Sequence, residues 1–254
     1  FSPSGNVLKG EWGLALAMLL ISGCGAARSV PPVAPRPVKA AHLEVTRFVA
    51  FGDGMTEGLV HACPGAQAPA LPIADGEEGG AGPLGIRNQV RSPTSYPVRL
   101  QALLAERYPH QSVEVVNEGV GGEEVEAGAA DLTRVLIGDN PEVLLLLEGI
   151  NDIRRTPVTV ADLVFAHKQL ITRAHAKGLK IYGATLLPFE GDSQYGPETE
   201  AKRQGINQWI RTSGAYDGVI DFDAAVRDAA QPTKIQQRFD SGDHLHPNDA
   251  GYEA

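Results

Sequence analysis

Phe51-Gly52-Asp53-Gly54-Met55-Thr56-Glu57-Gly58 decides how the rest of the chain is read. The apolar run Arg47-Phe48-Val49-Ala50-Phe51 leads straight into it. Aromatic and β-branched residues favour an extended strand, and Gly-Asp-Gly followed by Thr-Glu-Gly forces a tight turn. A strand ending in such a turn is where an α/β protein presents its chemistry.

Outward from that turn, strand and helix signals alternate. Strand-like runs fall at 46–52, 112–117, 142–148, 180–186 and 218–222. Val143-Leu144-Leu145-Leu146-Leu147 is continuously apolar, as a strand buried on both faces must be. Helical spacing is expected over 95–107, with Val98, Leu100, Leu103 and Leu104 apolar and Pro97 in the first turn. It is also expected over 129–137, over 160–176 with Val160, Leu163, Val164, His167, Leu170 and Ile171 on one stripe, and over 198–212. Pro247 would start a last helix over 247–254. The alternation predicts a three-layer α/β/α sandwich around a five-stranded parallel sheet.

With 254 residues and 43% hydrophobic content, one substantial core is expected. A net charge of −9 argues against nucleic acid, whose phosphates call for a basic face. Residues 1–24 read as a leader: Lys9, then an apolar run from Trp12 to Ile21, then Ser22-Gly23-Cys24. Ile-Ser-Gly-Cys is similar to the bacterial lipoprotein box, which implies lipid on Cys24 and a site at the bacterial cell envelope. The competing reading is a short buried helix with a chance cysteine. Residues 25–43, proline-rich, would be a tether, and 44–254 the folded domain. Cys63 would then have no partner and reads as packed rather than reactive. Phe1 at the start and a helix cut short at Ala254 make both ends read as incomplete. The stretch 59–91, dense in Gly, Pro and Ala, is either a loop that shapes a pocket or a disordered insertion.

The opening stretch resembles the first block of the GDSL/SGNH hydrolases, Gly-Asp-Ser-x-Thr-x-Gly. Three later patches match the family's other blocks in order. Val115-Val116-Asn117-Glu118-Gly119-Val120-Gly121-Gly122-Glu123 is similar to Asn-x-Gly-x-x-Gly, Gly149-Ile150-Asn151-Asp152 to Gly-x-Asn-Asp, and Asp243-His244-Leu245-His246-Pro247 to Asp-x-x-His-Pro. The resemblance implies a flavodoxin-like strand order and serine-esterase chemistry. It implies oxyanion donors at Gly54, Gly122 and Asn151, with His246 as base and Asp243 orienting it. Asp53 would support the turn. The position of the nucleophilic serine, however, is held by Gly54.

Alternatives stay open patch by patch. Gly122 and Asn151 also fit ordinary turns. Asp240, Asp243, His244 and His246 could be read as a metal cluster, though no other patch has ligand spacing. Thr56 could replace the nucleophile, although two residues along the same turn its hydroxyl should point elsewhere. Gly52-x-Gly54 superficially resembles a dinucleotide loop, but Glu57 stands where a third glycine belongs. The expected ligand is therefore a small acyl ester or acylated sugar, with no cofactor and no metal. The protein is either a hydrolase impaired at Gly54 or a pseudoenzyme that binds an acyl or carbohydrate ligand.

Overall fold

The computed structural model describes residues 42–61 and 89–254. The expected leader, Cys24, Cys63 and the interior of the Gly/Pro-rich stretch lie outside them. No helix among the described residues is long and apolar enough to cross a membrane.

Five parallel strands form the sheet: β1 (Arg47–Gly52), β4 (Glu114–Gly119), β5 (Val143–Leu147), β6 (Lys180–Ala184) and β7 (Gly218–Ile220), in the order β4-β1-β5-β6-β7. This is the flavodoxin-like order. A separate antiparallel pair, β2 (Leu59–His61) and β3 (Gln89–Arg91), flanks the insertion. α2 (Tyr96–Arg107) packs against β4, and the right-handed crossovers usual between parallel strands would put it on one face of the sheet. On the other face α3 (Val125–Gly138), α5 (Val160–Ala176) and α6 (Pro197–Thr212) pack side by side.

The apolar patterns explain the core. All five residues of β5 are buried, and the α5 stripe buries Leu163, His167, Leu170 and Ile171 against the sheet. Each such aliphatic side chain contributes about 1.5–3 kcal/mol when withdrawn from water. Arg203 on α6 is fully buried as well. Its guanidinium donates to Leu186 O (3.0 Å), Asp223 Oδ1 (2.7 Å) and both Glu200 oxygens, which ties α6 to the chain beyond β6.

Several boundaries differ from expectation. β4 ends at Gly119 rather than 117, because pairing with β1 continues to Gly52↔Gly119. β6 and β7 stop early, and Phe222 instead opens the short helix α7 (Phe222–Val226), capped by Asp221. α3 begins at Val125, four residues before the expected start at 129. The expected apolar face of α2 is only partly buried: Leu100 and Leu104 are half-buried, while Val98 and Leu103 are exposed at 49% and 46%. Pro247 does not start the last helix; Asn248 caps it, and α8 spans Asp249–Tyr252. Two further helices went unanticipated, the one-turn α1 (Gly54–Glu57) and α4 (Ile150–Arg155).

Candidate active site

The strand order switches direction between β1 and β5, and the crevice beyond their C-terminal ends is the natural ligand site of such a sheet. All four sequence patches meet there. Glycine is required at Gly52: a Cβ would fall 2.2 Å from Leu147 O. Asp53 then caps α1, its Oδ1 accepting from Met55 N at 2.9 Å. Thr56 faces inward, fully buried, with its hydroxyl 3.3 Å from that of Tyr96. That orientation removes Thr56 as a replacement nucleophile.

The second patch is fastened to the first by Glu57, whose Oε2 accepts from Gly121 N at 2.6 Å. The family resemblance implies an oxyanion donor at Gly122, whose backbone would approach the ligand closely. The structure supplies another reason for a glycine there. Gly122 lies at φ +81°, and a Cβ there would come within 3.2 Å of the Arg155 guanidinium. Arg155 also donates to Gly122 O at 2.9 Å.

The third patch opens α4. Asn151 is buried and donates from Nδ2 to Glu123 O at 2.8 Å, while Asp152 Oδ2 accepts from Val125 N at 3.1 Å. One amide hydrogen of Asn151 thus binds the second patch directly.

In the fourth patch, His246 Nδ1 sits 2.7 Å from Asp243 Oδ2. Asp243 Oδ1 accepts from His246 N (2.8 Å), Leu245 N (2.9 Å) and Ser241 Oγ (3.2 Å). His244 turns away into its own pair with Asp240 (2.6 Å). The two His–Asp pairs are separate, and among the described residues no group of three or more His, Cys, Asp or Glu side chains is placed to hold a metal ion. The decisive distance belongs to the other ring nitrogen of His246. A Cβ on Gly54 would lie 3.1 Å from His246 Nε2. The imidazole held by Asp243 is therefore aimed at the side-chain position of residue 54.

The sequence of residues 50–254 matches the GDSL-like lipase/acylhydrolase family. The chain belongs to that family. No functionally curated protein matches it. Among solved structures it is similar to a protein from Desulfitobacterium hafniense described as lipolytic and of the G-D-S-L family (17% identity, 82% of this chain and 94% of that one, TM-score 0.58). It is likewise similar to an acetyl-xylooligosaccharide esterase from Geobacillus (20%, 83% and 91%, 0.57). An α/β hydrolase from the metagenome of Lake Arreo is a third (19%, 82% and 90%, 0.55). At these identities the likeness is one of fold. The dinucleotide alternative falls with the family assignment. α1 is also too short to offer a helix N-terminus to pyrophosphate, and Glu57 stands at its end.

Electrostatics divide the GDSL-like site into two halves. Burial would raise the Asp243 carboxyl, but the bond and charge of His246 and two backbone N–H groups outweigh it and hold the group well below the usual range. Behind the crevice the opposite holds. Burial pushes Asp53 up to about 6, and among the described residues its Oδ2 has no hydrogen-bond partner. Burial also lifts Glu123 to about 7 and raises Asp152. Glu148 rises well above its ordinary value through burial and then the charges of Asp53 and Glu123. Motif spacing marks none of Glu57, Glu123, Glu148 or Arg155 as part of the site. Glu148 did leave a signal, as an acidic residue directly after five apolar ones.

Proposed function

We propose that this chain is an acyl-ester hydrolase domain whose covalent step is disabled at Gly54. The observation that carries the reading is the 3.1 Å approach of His246 Nε2 to the Cβ position of residue 54. A base oriented by a half-buried carboxylate toward a position with no side chain is what remains when a serine is replaced by glycine. The oxyanion donors we assign are the N–H of Gly54, the N–H of Gly122 and the second amide hydrogen of Asn151.

With a hydroxyl at position 54, its oxygen would attack the ester carbonyl carbon while its proton passes to His246 Nε2. The carbonyl π pair would move onto oxygen and be held by the three donors. Collapse would break the bond to the alkoxide, which takes the proton back from His246. Water would repeat the cycle on the acyl-enzyme. Gly54 removes the first bond-forming atom and leaves the rest, so the chain as it stands is nearly inactive. We assign a small acyl ester or acylated sugar as the ligand class. The fold shared with an acetyl-xylooligosaccharide esterase supports the sugar branch.

A second reading, a pseudoenzyme that binds such a ligand without cleaving it, draws support from Leu59. Its Cδ1 lies 2.8 Å from where a Cβ on Gly54 would be, so the space of the absent side chain is partly filled. The two readings separate on an aryl acetate. Gly54→Ser should raise hydrolysis at least about a hundredfold, and adding His246→Ala should abolish the gain. A folded but inert Gly54→Ser supports the pseudoenzyme, and equal activity with and without serine rejects the assignment of position 54.

For location we propose the bacterial envelope, with lipid on Cys24. The lipobox-like Ile-Ser-Gly-Cys and the proline-rich stretch after it support this. Mass spectrometry showing an unmodified Cys24 in the mature protein would reject it.

A further inference from the structure

Two glycines of the site press on the same side chain. A Cβ on Gly54 would lie 2.8 Å from Leu59 Cδ1 and 3.4 Å from its Cγ, and a Cβ on Gly121 would lie 2.9 Å from the same Cδ1. Carbon atoms in favourable contact sit at about 3.5–4.0 Å. The isobutyl group therefore lies in the gap between the turn after β1 and the Gly121-Gly122 backbone. An ester carbonyl must enter that gap to reach both position 54 and the Gly122 N–H.

The backbone of Leu59 is fixed on several sides. Its carbonyl accepts from the Tyr252 hydroxyl at 2.7 Å, and it pairs with Arg91 across β2 and β3. Just before it, Gly58 holds φ +90°, donates to Gly54 O at 3.0 Å and accepts from Ser92 N at 2.6 Å. Only the side-chain torsions of Leu59 can clear the gap, and the new rotamer must move away from both glycines.

We propose that Leu59 is the specificity-determining residue of this site: it closes the acyl pocket over Gly54 and Gly121, and an acyl ester binds only by displacing it. The inference rests on the hydrolase reading of Gly54 and His246. It gives the substrate class a size limit. An acetyl group needs a small displacement of Leu59, whereas a long acyl chain must compete with the isobutyl group for its place.

Two measurements on the full chain test this. The first does not depend on catalysis. Gly54→Ala is made with Leu59 present and in Leu59→Ala, and the melting temperatures are compared as a double-mutant cycle. Overpacking against Leu59 should make Gly54→Ala cost at least about 2–4 °C more when Leu59 is present. Equal costs overturn the inference. Should Leu59→Ala not fold, Leu59→Val, one methylene shorter, replaces it, with a smaller difference of the same sign expected.

The second measurement compares Gly54→Ser with Gly54→Ser/Leu59→Ala on 4-nitrophenyl acetate and 4-nitrophenyl octanoate. kcat/KM for the octanoate should rise at least about tenfold relative to the acetate in the double variant, a gain of the size of one to two well-buried methylenes. An unchanged ratio overturns the inference. If neither variant cleaves either ester, the hydrolase reading fails and takes the acyl role of Leu59 with it; the first cycle then reports on the packing contact by itself.

Discussion

Asp243, paired with His246, and Asp53, the cap of α1, respond to pH with opposite signs. Asp243 is held below its unfolded value, which is about 3.9. The folded state then binds fewer protons than the unfolded one as pH falls, so the stabilisation is fully present above about pH 4 and is lost at lower pH, through the folded value. Asp243→Asn should lower stability at pH 7 by about 2–3 kcal/mol, the worth of hydrogen bonds to a charged group, and the deficit should shrink at low pH. Asp53 is raised to about 6. Between about pH 4 and 6 its folded form keeps a proton that the unfolded chain has lost, so stability falls as pH rises and the full penalty is present above about 6. Asp53→Asn keeps a good helix cap and should stabilise the protein at pH 7–8 by on the order of 1–3 kcal/mol, with no gain at pH 4. Melting temperatures across pH 3–8 for both variants check the two signs. Agreement in sign between them would contradict this division of the site.

Elements differ in how far the sequence foretells them. α5 matches its expected bounds because Thr159 and Asp162 form a reciprocal capping box ahead of a long regular stripe. β1 and β5 are legible because their apolar runs stop at Gly52 and Glu148. α4 was not foreseen: six residues hold too few turns for a period to show, and its Asn-Asp start resembles a plain turn. α2 forms within a residue of its expected bounds, but its apolar spacing overstated burial, since Val98 and Leu103 are about half exposed. The burial of Arg203 in α6 is also a tertiary property, since its partners are Glu200 nearby and Asp223 twenty residues on. Arg203→Ala would leave Glu200 without its guanidinium and Leu186 O without one of its donors, although Asp223 keeps Arg211 and Arg227. We expect a loss of about 3 kcal/mol in urea unfolding, and Arg203→Lys should recover little of it because a point charge cannot reproduce the fork. Full recovery by lysine would show that charge alone suffices.

For the molecule as a whole, four loops from distant parts of the chain meet at one end of a five-stranded parallel sheet. The order of the blocks made that meeting legible in the sequence, and Asp243 and His246 pair at 2.7 Å, as the family resemblance implied. What spacing could not show is the fit between loops: Glu57 reaching Gly121 across 64 residues, Arg155 beneath Gly122, and Leu59 lying over two glycines. Those contacts depend on which loops the strand order brings together. We hold that a working His–Asp pair faces a position 54 that lacks only the hydroxymethyl side chain of serine. The most direct test is mass spectrometry after exposure to a fluorophosphonate. The account predicts no adduct on the chain as it stands, one adduct at position 54 in Gly54→Ser, and none once His246→Ala is added. An adduct elsewhere on the unaltered chain, or labelling of Gly54→Ser that is indifferent to His246, would contradict it.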